Sequence, residues 1–141
     1  MKTSKNSKTK KGIIDVYPTI YNTDIVVCNK YVTAKQLNKQ YMIVDGRDFT
    51  EEEFANAGFC CEGVERKTNN SAMIVKYTGS PGLSKKDVHT DLVKICSHEA
   101  THAAVFICSR IGQDIDKDDV NEFLAYLVGY ITECMYKTVT K

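Results

Sequence analysis

His98-Glu99-Ala100-Thr101-His102 is the stretch on which the reading of this chain turns. On a helix of 3.6 residues per turn, positions i and i+4 lie about 40° apart, so both imidazoles can meet one metal ion. Glu99 then stands beside the metal's open position, where a general base activates a bound water. The flanks support a helix. Val88, Leu92, Ile95, Glu99, His102 and Phe106 follow steps of four and three, the spacing of a core-facing arc. A carboxylate and an imidazole thus occupy places where an ordinary core helix carries Leu or Ile. An unpaired buried carboxylate costs several kcal/mol, roughly. A divalent cation would offset that cost, and a metal-free Glu–His hydrogen bond is the plain alternative.

Working outward, Ser84 and Asp87 have the spacing of a capping box, opening a helix that runs to about Arg110 and stops at Gly112. A polar connector, 113–119, leads to a last helix over about 120–137, with Asp118 or Asp119 as its cap. Upstream, 13–17 and 20–28 read as strands. Thr33 and Gln36 cap a short helix over 34–41, and 42–44 is a short strand before the Asp45-Gly46 turn. Thr50 and Glu53 cap a second short helix that Gly58 closes. Residues 59–67 and 72–77 then form a hairpin, and Gly79-Ser80-Pro81-Gly82 breaks the chain. The expected fold is α+β: a small mixed or antiparallel sheet with short helices, packed on two long C-terminal helices that carry the metal site.

The whole chain is compatible with this plan. Its 141 residues fit one domain, 12–141, with 43% apolar and 26% charged residues. Net charge is +1 but uneven, because Lys2, Lys5, Lys8, Lys10 and Lys11 fall in a stretch without acids. Residues 1–11 read as a disordered basic tail, a weak route to nucleic acid. No secretory signal and no membrane-length apolar run is present, and six cysteines then read as reduced thiols in a cytoplasmic protein.

A catalytic zinc takes three protein ligands. Glu122 is the expected third, because a helix–turn–helix returns it toward the first helix and the apolar run after it, 123–131, marks a central helix. A glutamate that merely suits the helix N-terminus is the competing explanation. Tyr126 and Tyr130 share Glu122's face, and Tyr126 could donate a hydrogen bond to a ligand or an oxyanion.

His98-Glu99-x-x-His102 followed by Asn121-Glu122 at the head of an apolar helix resembles the gluzincin zinc metallopeptidases, and in its short size their minimal members, the minigluzincins. The same blocks resemble small uncharacterised proteins of phages and mobile elements, which would place this one in a host cytosol. The match covers about the C-terminal third. The resemblance implies Zn2+ held by His98, His102 and Glu122, Glu99 as base, and a peptide or protein substrate. It also implies a zincin-like fold whose edge strand lines the cleft and pairs with an extended peptide. Ala72, Met73, Ile74, Val75, Lys76 and Tyr77 are the expected edge strand. The family often has an acid four positions after the ligand glutamate; here Tyr126 stands there.

Other constellations fit less well. A metzincin needs glycine and histidine where this chain has Val105 and Cys108. The Asp114–Asp118 run lacks the glycine and the final glutamate of a calcium loop. His89 lies off the ligand arc. Two further functions remain open on sequence alone: a zinc-stabilised binding or inhibitor module that does not cut, and a virion or nucleic-acid-associated component using the basic arm.

Overall fold

A computed structural model describes residues 10–113 and 120–141, and the side chains of all of these except 120 and 121. The chain order is β1 (Ile14–Tyr17), β2 (Thr23–Cys28), α1 (Ala34–Asn38), β3 (Tyr41–Ile43), α2 (Glu51–Phe54), β4 (Gly58–Glu65), β5 (Ser71–Tyr77), α3 (Val88–Arg110) and α4 (Val120–Val139). The expected α+β architecture is present. The expected tail lies outside the described residues as far as residue 9, as does most of the connector, 114–119, with its calcium-loop spacing and its capping aspartates. Lys11 is already tied to the fold, its carbonyl accepting from Asn29 Nδ2.

The strands form one mixed sheet in the order β1-β2-β5-β4-β3. Only the β2–β5 pair is parallel. Side chains alternate across the sheet. Ile25, Val27, Met73, Val75 and Tyr77 face the long helices, whereas Val26, Cys28, Ala72 and Ile74 face α1, α2 and the Phe49–Phe54–Phe59 aromatic group. The central strands are therefore buried on both sides. α3 packs over β4 and β5, and α4 over β2 and β1. His89 meets Tyr136 edge-on, so the start of α3 lies beside the end of α4 and the two helices run antiparallel.

Local signals explain most boundaries. Thr50 and Glu53 make a complete reciprocal capping box at α2. At α1, Thr33 accepts from Gln36 N–H, while the Gln36 amide reaches to the Gly12 carbonyl instead of back to the cap. Ser84 and Asp87 bond side chain to side chain before α3, so they form a turn and not the expected box. Gly58 opens β4 rather than closing α2.

The N-terminal half of α3 is locked to β5 through a carboxylate. Asp91 is buried and accepts from Tyr77 Oη at 3.0 Å, Ser80 N–H at 3.0 Å and Ser80 Oγ at 2.6 Å. Burial alone would raise its pKa; the Ser80 and Tyr77 donors outweigh burial and hold it below the ordinary carboxylate value.

Candidate functional site

α3 runs unbroken for 23 residues because no glycine or proline occurs between Val88 and Arg110. Its buried face carries Leu92, Ile95, Cys96, Glu99, Ala100, Ala103, Ala104, Ile107 and Cys108. The alanines bring the helix close to the sheet. This arc is rotated from the expected one: Glu99 lies on it, but His102 and Phe106 stand on the exposed rim with His98. The small side chains at 100, 103 and 104 pack best, and so they turn the bulkier residues outward.

The HExxH geometry is present. His98 Nε2 and His102 Nε2 are 3.2 Å apart, with ring centroids at 4.8 Å and planes at 78°. Two nitrogens bound at the zinc–imidazole distance on a tetrahedral ion stand about 3.3 Å apart. The spacing is compatible with such an ion and is equally that of a direct Nε2···Nε2 hydrogen bond between the two rings. Glu99 is 8% exposed, and its Oε1 lies 4.0 Å from His98 Nε2. Among the described residues no hydrogen bond reaches its carboxylate. Burial raises its pKa, while the two histidines pull the other way. A largely buried carboxylate with no protein donor among the described residues, open to solvent and close to His98, is suited to accept a proton.

Gly58 makes room for that carboxylate. A Cβ at Gly58 would stand 2.6 Å from Glu99 Oε1 and 2.7 Å from Ile95 Cγ2. The carboxylate thus rests directly on the backbone of β4. Cys60, next along the same face, has its thiol pKa raised by burial and then by the Glu99 charge. Sequence reasoning missed this glycine as a site residue; its position opposite the HExxH turn depends on a long-range pairing.

β4 also supplies an open backbone edge. β3 pairs only with its far half, Tyr41 to Ile43 against Glu65 to Gly63, extended by Val44 N–H to the Glu62 carbonyl. The Glu62 carbonyl points to the β3 side, and the Ala57 carbonyl accepts from Thr78 and Gly79 on the β5 side. Alternation along the strand then turns the N–H and C=O groups of Gly58 and Cys60 outward, without a ladder partner among the described residues.

Three expectations need correction. Ala72, Met73, Ile74, Val75, Lys76 and Tyr77 are not an edge strand: β5 is central, paired with β2 on one side and β4 on the other. The parallel β2–β5 pair places it there. Glu122 is not brought to the imidazoles. It is exposed in the first turn of α4 and shares an outward-facing hollow with Tyr126, Gly129, Tyr130 and Glu133. Among the described residues no three His, Cys, Asp or Glu side chains converge as a metal cage. The buried face of α4 is Leu127, Ile131, Cys134 and Met135, so burial extends only part-way round this apolar run and leaves Glu122 on the side opposite the core. Tyr126 is likewise 78% exposed, and the hollows it lines include none of His98, Glu99 or His102.

No family model, curated protein or solved structure matches this chain. Among the described residues no helix is long and apolar enough to cross a membrane.

Proposed function

We propose that this protein is a zinc-dependent hydrolase acting on extended peptides, with His98 and His102 as the metal-binding pair and Glu99 as the general base. The observation that carries this reading is the 3.2 Å approach of the two Nε2 atoms beside Glu99, a largely buried residue whose carboxylate has no protein donor among the described residues and keeps a path to solvent. His98 and His102 would hold a zinc ion, which when bound would supply Lewis acidity toward a water and a carbonyl. Glu99 would take a proton on its carboxylate and return it to the leaving amine. Gly58 and Cys60 present outward N–H and C=O groups to which a peptide strand can pair, next to Glu99.

Glu122→Ala is expected to retain zinc as the wild type does, because Glu122 is exposed on the outward side of α4. The competing reading is a zinc-stabilised binding module that does not cut, which expects closed four-ligand coordination; among the described residues no three His, Cys, Asp or Glu side chains converge. Degradation of a mixed peptide library, read by mass spectrometry, separates the two. The hydrolase reading expects cleavage by the wild type and none by zinc-loaded Glu99→Gln. Cleavage at equal rates by both would discard it, and zinc binding without any cleavage would favour the binding module.

A further inference from the structure

A second concave site lies away from the histidines, where the β1–β2 turn meets α4. It is an open hollow of about 520 Å³ whose walls include the rings of Tyr21, Phe123, Tyr126 and Tyr130, with Pro18 and Ile20 at the rim. Tyr21 and Phe123 meet edge-to-face at 5.4 Å and set its floor. Tyr130 Oη donates to the Pro18 carbonyl, so its hydroxyl proton is used and its oxygen remains an acceptor. The wall residues thus offer ring faces and acceptors, and none of them is a cation. Two of these residues, Tyr126 and Tyr130, also line the adjoining hollow on α4, whose ends are Glu122 and Glu133. Glu133 pairs with Lys137 at 2.9 Å, but both side chains are largely exposed, and a surface pair of this kind is worth little and exchanges readily.

We propose that this face docks a basic peptide segment, with arginine side chains stacked on Tyr126 and Tyr130 and directed to Glu122 and Glu133. Tyrosine faces attract a guanidinium through their quadrupoles, and its flat surface stacks on them. The carboxylates flank the tyrosines on the same helix face. Their axial separation is about 16 Å, the reach of about five residues of extended chain. A second copy of the chain is disfavoured as the occupant, because two-fold packing on α4 would bring the same acidic face against itself.

Calorimetric titration of the full chain with a blocked hexapeptide carrying arginine at both ends tests this, with the glutamate-ended counterpart as control. The arginine peptide is expected to bind saturably and the glutamate peptide not to bind. Tyr126→Ala, and separately Glu122→Gln with Glu133→Gln, are each expected to weaken binding about tenfold or more. All three positions are exposed, and circular dichroism verifies the fold of the variants. Equal binding of both peptides, no binding of either, no effect of the variants, or self-association of the free chain that Tyr126→Ala abolishes would overturn the proposal.

Discussion

α3 carries two buried carboxylates on one face, Asp91 and Glu99, each 8% exposed. They are two turns apart and have opposite characters. Asp91 is met by a phenol, a hydroxyl and a backbone N–H, and its pKa is held low despite burial. Glu99 is met by the bare backbone of Gly58 and, at 4.0 Å, by the His98 imidazole, and its pKa is raised by burial. Burial therefore does not by itself tell a structural carboxylate from a chemical one. The donors around it do: satisfied, it fastens β5 to α3; left open, it is available for a proton or a cation.

The largest effect that would sharpen this contrast is on turnover. Glu99→Gln is expected to lower peptide cleavage by about 10²-fold or more, whereas Asp91→Asn is expected to leave the rate per folded molecule within a few-fold. Next comes stability. Asp91→Ala strands the Tyr77 and Ser80 donors and is expected to cost about 2 kcal/mol in urea unfolding. Because the folded-state pKa of Asp91 is lowered, its contribution is present above the ordinary carboxylate pKa and disappears as pH falls through the folded value. Gly58→Ala pushes a methyl into Glu99 and Ile95 and is expected to cost about 1–3 kcal/mol, with part of the loss recovered in a Glu99→Ala background. Full additivity of the two changes would break the claim that Gly58 seats the carboxylate.

The smallest effect carries the opposite sign. Glu99 has a raised folded-state pKa, so the metal-free protein is expected to lose stability as pH rises from the ordinary carboxylate pKa through the folded value. Above that window Glu99→Gln is expected to stabilise the metal-free chain by about 1 kcal/mol or less. Thermal melts of both proteins across pH in the presence of a chelator would measure it. A wild type that gains stability through the window would show that Glu99 is satisfied in the fold.

Much of this contrast is legible from local signals. The i, i+1, i+4 spacing identifies the histidine pair and its glutamate, the Thr50–Glu53 spacing marks α2, and the apolar runs within 20–28 and 72–77 mark two strands without telling centre from edge. The remainder rests on contacts between residues distant in sequence. Nothing near Ala72 announces that β5 will pair in parallel with β2 and so lie at the centre. The role of Gly58 depends on which strand passes beneath α3. The outward face of Glu122 depends on how α4 rolls against the sheet, and an apolar run such as 123–131 leaves that roll undetermined.

The central claim is that His98 and His102 hold a metal beside Glu99, and zinc content tests it most directly. Protein purified without added metal, then equilibrated with zinc and desalted, is expected to retain about one zinc per chain. Glu99→Gln is expected to retain it, and His98→Ala and His102→Ala to lose it. A wild type that retains no zinc, or a His102→Ala variant that retains as much as the wild type, would contradict the account.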